Sequence, residues 1–355
     1  MTIKRIDLQA AAHAGILESE QIDPLLAFLL QRDSSSGRAR FSGTHVLYYL
    51  GGMLAIGATT LFTTLAVDAL GMPVLLALSS LYVLGAIGLA VWFDKRALGV
   101  PAGIFATLAI ALVPLVVFAL QRVLGLWPEG GNTQHYRDYH AWIDWRWLVM
   151  ELATLVAGAA MLWRFRYPFM VMPLAVTLWY MGMDVVPALI MHAKEVGYSE
   201  AYWLLRRQIS LVFGVLMLAL AFVVDLRSRH GKDFAFWLYL FGMMTFWGAL
   251  SSMNSDLLSA KLIYLAINFG FVLLGAVLGR KVFVVFGAIG ITKVLCDLSS
   301  DYFKDSFAFV AVLTLLGFAL IAAGVWWSKH EASVSARLRE FLPQDLRQLL
   351  EARTS

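Results

Sequence analysis

The sequence predicts an all-α fold: a polytopic membrane protein of about ten transmembrane helices with both termini cytoplasmic. Three observations carry that expectation. The chain of 355 residues is 60% hydrophobic and only 15% charged, where a soluble chain carries about 25% charged residues. The apolar residues come in runs of roughly 17 to 25, long enough to cross a hydrocarbon core of about 30 Å as helices. The shorter alternating segments of a transmembrane β-barrel are missing. Lastly, Lys and Arg are sorted between alternate loops.

Residues 1–44 read as a cytoplasmic piece. A helical hairpin is expected over 3–32, with Gly15 as a stop and Ser19 as the cap of a second helix. Ile22, Leu25, Leu26 and Leu29 form the apolar stripe of that second helix, and Asp33 to Gly37, rich in serine, is a flexible linker. The first apolar span begins near His45, too late for a secretory leader, so it reads as a permanent anchor.

The bundle occupies 45–328. Its spans are expected at 45–67, 72–93, 99–121, 147–164, 167–186, 207–225, 234–252, 258–279, 282–299 and 306–328. Pro168 suits a first helical turn, while Pro173 and Pro114 are expected to kink the fifth and third spans. The loop 122–146 is the longest. Its Trp127, Tyr136, Tyr139, Trp142, Trp145 and Trp147 fit a membrane–water interface, and part of it is expected to lie flat on the outer surface. The tail 329–355 is amphipathic through Leu338, Phe341, Leu342, Leu346, Leu349 and Leu350, with a break near Pro343.

With a cytoplasmic N-terminus, the inside segments hold 19 of the 28 Lys and Arg. The short turns Asp94-Lys95-Arg96, Arg164-Phe165-Arg166, Arg227-Ser228-Arg229 and Arg280-Lys281 all fall inside, as does the tail with Arg337, Arg339, Arg347 and Arg353. This pattern matches the cytoplasmic excess of Lys and Arg in membrane proteins, and an inner-membrane location is expected. It also explains the net charge of +4 without nucleic acid, for which no dense basic patch is present. Cys296 is the only cysteine, so an intramolecular disulfide is excluded and a packing role is expected.

Ionisable residues at membrane depth are costly, and they mark function by default. Here they are Lys261, Lys293, Asp297 and Asp184, joined by the amide of Asn268. Counted outward from Arg280-Lys281 at about 1.5 Å per residue, Asn268 and Lys293 come level on two antiparallel spans. Lys261 comes near the level of Asp297 and Asp301. Lys261, Asn268 and Gly275 share one stripe of the eighth span, with Gly275 and Gly279 allowing close helix contact. Lys293, Asp297 and Ser300 share a face of the ninth. Where the stripes meet they build an outer-half ligand-binding cluster of Lys261, Asn268, Lys293 and Asp297, with Asp301 at the mouth. An echo between Arg166-x-x-Phe169 and Arg280-x-x-Phe283 hints at a duplication, and it would bring Asp184 beside the cluster. The bland alternative is a neutral Lys293–Asp297 pair that registers helices, with Lys261 snorkelling.

No cofactor is implied. A Walker motif, a His-Glu-x-x-His and a Gly-x-Ser-x-Gly are all missing. His135 and His140 lie five apart, off one helical face and without cysteine partners, which disfavours a metal. The leading functional expectation is a transporter-like protein that binds or moves a small or amphipathic anionic ligand, either a small molecule or a lipid. A second is a non-catalytic scaffold or assembly partner that docks a cytoplasmic protein through its terminal helices. A third is a membrane enzyme using the 122–146 loop.

The N-terminal "AHAGILESEQIDPLLAFL" resembles the opening module of an uncharacterised bacterial family of multi-pass membrane proteins, a domain of unknown function. There a short helix, an Ala-Gly-Ile/Leu turn and a Glu/Gln-bearing helix precede a long hydrophobic region. The end, "TKVLCDLSSDYFKDSFAFVAVLTLLGFALIAAGVWW", is similar to the closing hairpin of such families, with Lys293 and Asp297 falling on its Lys, then Asp-Leu pattern and Gly317 in the last span. The resemblance covers about a quarter of the chain. It implies topology and treats Lys293 and Asp297 as a unit, and it implies no activity.

Overall fold

The computed structural model of the chain describes residues 71–127, 145–182, 200–228, 232–253 and 257–303, with side chains to 297 in the last stretch. It also describes 15–25 and single positions or short stretches between 8 and 61 and between 311 and 325. The expected first and tenth spans, the greater part of the 122–146 loop with His135 and His140, and the tail 329–355 lie outside the described residues or touch them only at scattered positions.

Described residues form eight α-helices and two short 3-10 turns. The helices are α1 (Met72–Lys95), α2 (Gly99–Val123), α3 (Trp145–Phe165), α4 (Val171–Tyr180), α5 (Glu200–Arg227), α6 (Phe236–Ser252), α7 (Leu258–Leu278) and α8 (Lys281–Phe303). Most ends agree with the expected spans to within a few residues. The main exception is α5, which starts seven residues before the expected 207. The fifth span differs in form: a 3-10 turn over Pro168–Met170 leads into α4, with Pro168 in the first turn as anticipated. Helix α2 continues through Pro114 as a single element.

Five helices, α1, α2, α3, α5 and α7, are long and apolar enough to cross a membrane. Their packing explains where that apolar surface goes. In α7 only 17% of the most apolar window is buried within the protein, and Leu84, Val156, Val212 and Ile263 are each more than 60% exposed. A soluble protein rarely presents continuous apolar surface on this scale; hydrocarbon accepts it. The described residues are all-helical apart from turns and connections, and the five long apolar helices are those of a membrane protein.

Short connections fold the helices into the pairs α1–α2, α5–α6 and α7–α8, and α6 also packs on α4 and α8. The tight turn between α1 and α2 places Ala97 at φ 58°, and that between α7 and α8 places Gly279 at φ 65° as a left-handed cap. Helices α5 and α6 cross closely at Gly214, where an added Cβ would come within 2.6 Å of the Phe246 backbone nitrogen. The largest buried cluster gathers Val171 and Ala175 of α4, Ala221 of α5, Leu238, Tyr239 and Met243 of α6, and Val282 and Phe283 of α8. Phe169 and Phe283, the two phenylalanines of the sequence echo, reach α6 from the 3-10 turn before α4 and from α8: Phe169 meets Trp237 edge-on at 5.9 Å and Phe283 meets Tyr239 at 5.3 Å.

At the N-terminus, Gly15 takes φ 73°, the left-handed conformation of a helix end, and the helix expected before it lies largely outside the described residues. The second turn is capped differently. Its N-cap is Glu18 rather than Ser19, and the Glu18 N–H donates to Gln21 Oε1 at 3.3 Å. Ser19 is thereby carried into the first turn, because a Glu–Gln pair three apart can bridge the chain entry reciprocally.

Candidate functional site

Two polar centres and one cavity are built on α4 to α8. The first centre holds the residues singled out in the sequence. Asn268 is completely buried in the middle of α7. Its Nδ2 donates to the Tyr264 carbonyl one turn back at 2.8 Å, and its Oδ1 accepts from Trp247 Nε1 of α6 at 2.9 Å. Helix α8 presents Gly287 and Gly290 to it, and a Cβ at Gly290 would overlap the Asn268 amide. A buried amide needs its hydrogen bonds made inside the protein, and here α6 and α7 make them while glycines on α8 give it room.

One turn farther along α8, Lys293 Nζ donates to Asp297 Oδ2 at 3.2 Å, with 36% and 47% of the two side chains exposed. The Lys293 ammonium also lies 5.7 Å from the Tyr264 ring centre, in reach of a cation–π attraction. The Tyr264 hydroxyl in turn meets Ser251 Oγ of α6 at 2.5 Å. Tyr264 therefore joins Asn268, Lys293 and α6. It lies on the Lys261–Asn268 stripe, three residues after Lys261, and that spacing was the signal that could have found it. Trp247 and Ser251 carried no such signal.

Lys261 occupies the first turn of α7 and is half-buried. The structure thus brings Asn268 and Lys293 to adjoining levels. Asp301 falls within the last turn of α8, and its side chain is outside the described residues, as is the whole of Asp184.

The second centre sits at the opposite end of α8 and was not singled out in the sequence. Arg280 is 8% exposed. Its guanidinium grips Asp225, in the last turn of α5, in two-pronged fashion, with Nε to Oδ2 at 3.0 Å and Nη2 to Oδ1; its Nη1 binds Asp233. Tyr239 donates its hydroxyl to Asp225 Oδ2 at 3.2 Å. Burial alone would disfavour the charged guanidinium, yet the hydrogen bonds and charges of Asp225 and Asp233 outweigh it and hold the pKa above its ordinary value. Nearby, Tyr167 donates to Asp94 Oδ1 at 2.7 Å, Arg164 reaches the same carboxylate, and the Lys232 ammonium faces the Tyr167 ring at 5.4 Å. Burial, then the hydrogen bond to Asp94, pushes the Tyr167 hydroxyl up to about 12. The charge-bearing turns around residues 94, 164, 232 and 280 thus meet at one end of the bundle.

The cavity has a volume of about 400 Å³ and lies between α4, α5 and α6, with Trp179, Trp203, Arg206, Arg207 and Gly248 among its walls. Helix α6 separates it from the first centre: Trp247 and Ser251 face Asn268 and Tyr264, while Thr245, Gly248, Ala249 and Ser252 face the cavity.

No family model matches the chain, and no curated protein or solved structure matches it either. The family resemblance expected from the two ends of the sequence finds no support in these comparisons, and the geometry alone bears on function.

Proposed function

We propose that this membrane protein crosses a bacterial inner membrane ten times with both termini cytoplasmic, and that it binds, and moves, a small or amphipathic anionic ligand at the cluster of Lys261, Asn268, Lys293, Asp297 and Asp301, with Asp184 alongside. The meeting of the charge-bearing turns at one end supports the assigned sidedness. The ligand reading rests on one observation. The Lys293–Asp297 pair lies about 18 to 24 Å along α8 from that end, and it keeps more than a third of each side chain open. Charges at such depth are stabilised by water, by one another or by a ligand. A lysine oriented by a carboxylate can accept a phosphate or carboxylate group as a third member.

The second reading is a scaffold. Asn268 is already satisfied by α6 and α7, and Lys293 and Asp297 neutralise each other, so the centre also suits a helix fastener. In that role the terminal helices would dock a cytoplasmic protein.

Mass spectrometry of what co-purifies in mild detergent separates the two. Wild type is compared with Lys293→Ala/Asp297→Ala after both are shown to be monodisperse. An anionic metabolite or lipid held by wild type and lost from the variant supports the ligand site. Equal contents in two equally folded proteins refute it and favour the scaffold.

A further inference from the structure

We propose that the cavity between α4, α5 and α6 is a separate binding site for an anionic phospholipid, with Arg206 and Arg207 holding the phosphate and one acyl chain entering between the helices. The inference goes beyond the ligand cluster on α7 and α8. It rests only on the membrane-spanning part of that reading.

Depth comes first. Helix α5 runs from Glu200 to Arg227, about 42 Å at about 1.5 Å per residue, against a hydrocarbon core of about 30 Å. The rise from Arg207 to Arg227 is itself about 30 Å. Because Arg227 belongs to the charged end of the bundle, Arg206 and Arg207 come to the opposite interface, at the level of lipid phosphates. Trp203, one turn earlier and 41% exposed, suits that level, since tryptophan concentrates where hydrocarbon meets headgroups.

Chemistry comes second. Both arginines line the same cavity, and the Arg206 guanidinium stands 5.0 Å from the Trp203 ring centre, which positions it as a planar fork. Guanidinium forks match phosphate oxygens in paired hydrogen bonds. The hydroxyls of Thr245 and Ser252 donate to backbone carbonyls of their own helix, and that of Ser210 donates to the Gly182 carbonyl at 3.5 Å. They offer an incoming anion no hydrogen, so the arginines carry the recognition. Among the described residues, no Asp or Glu lines this cavity.

Shape comes third. Below the arginines the walls are Trp179, Met244, Ala249 and Gly248. A Cβ added at Gly248 would meet nothing within 4 Å, so the space beside it is open. A cationic rim over an apolar slot fits an anionic headgroup with a chain attached better than it fits a free ion.

The test is native mass spectrometry of the full chain in detergent, titrated with phosphatidylglycerol, with phosphatidylcholine of the same chains, or with inorganic phosphate. Wild type is expected to retain phosphatidylglycerol over phosphatidylcholine, and Arg206→Gln/Arg207→Gln to lose about tenfold or more of that retention. Gly248→Leu keeps both charges and fills the slot. It is expected to lose the lipid as well, and it carries the test if the arginine variant fails to fold. Lys293→Ala/Asp297→Ala should leave this lipid in place, which separates failure of the two sites. Equal retention of both lipids, displacement by inorganic phosphate at matched concentration, or an unaffected Gly248→Leu would each overturn the assignment.

Discussion

Replacing Arg280 by methionine tests the buried charge network most directly. In wild type the Arg280 side chain is 10% exposed and that of Asp225 4% exposed. Each therefore depends on protein partners in place of water. Asp225 sits in the last turn of α5, where the carbonyl end of the helix already repels an anion. Arg280→Met removes both bonds to Asp225 together with the charge that offsets this repulsion, leaving the Tyr239 hydroxyl at 3.2 Å facing the carboxylate. Removing one member of a buried ion pair costs about 3–5 kcal/mol, while replacing both by apolar groups is close to neutral. Asp225→Asn should cost less, about 2 kcal/mol, because Asp233, 47% exposed, still balances the guanidinium. The double variant Asp225→Leu/Arg280→Met should recover most of the loss. Chemical unfolding of the purified proteins in detergent, arranged as a double-mutant cycle, gives the coupling. A loss below about 1 kcal/mol for Arg280→Met, or a double variant as unstable as the sum of the singles, would refute the reasoning.

Two further perturbations follow from the same geometry. Gly290→Ala drives a methyl group into the Asn268 amide, which Trp247 and the Tyr264 carbonyl hold in place. It should destabilise by about 1–3 kcal/mol, with Gly270→Ala, which faces open space, as a control expected to be near neutral in thermal melts. Tyr167→Phe addresses alkaline stability. The folded hydroxyl titrates near 12 against an ordinary 10, so the folded state holds the proton more tightly than the unfolded chain. That contribution is complete below pH 10 and is lost as pH rises toward 12. Wild type should lose stability over that window more steeply than Tyr167→Phe, and parallel curves would contradict the assignment.

The helices were readable because long apolar runs and charged turns each record one physical demand, solvation by lipid or by water. The Lys293–Asp297 pair was readable because its partners lie one helical turn apart. The Arg280 centre was not. Its other members, Asp225, Asp233 and Tyr239, come from α5, the following connection and α6, and only the folded arrangement of the hairpins brings them together. In sequence, Arg280 looked like one more interfacial cation in a short turn. Arg206 and Arg207 were hidden for a related reason: a count of cations per loop records their number, and the wall formed by Trp179 and α6 decides what they face. Asn268 was legible as a buried amide, but its partner Trp247 belongs to a different span, with no periodic link to it.

Helix α6 has a consequence as a party wall. One side of it supplies Trp247 and Ser251 to the polar centre, and the other supplies Thr245, Gly248, Ala249 and Ser252 to the cavity. A molecule that shifted this wall from one room would strain the 2.9 Å bond from Trp247 to Asn268 in the other. Thermodynamic linkage makes such an effect mutual: whatever occupancy of one room does to affinity in the other is returned by the same factor. Any coupling between a lipid beside Gly248 and an anion beside Lys293 would run through this one helix of 17 residues, while the direct contacts of each stay in its own room.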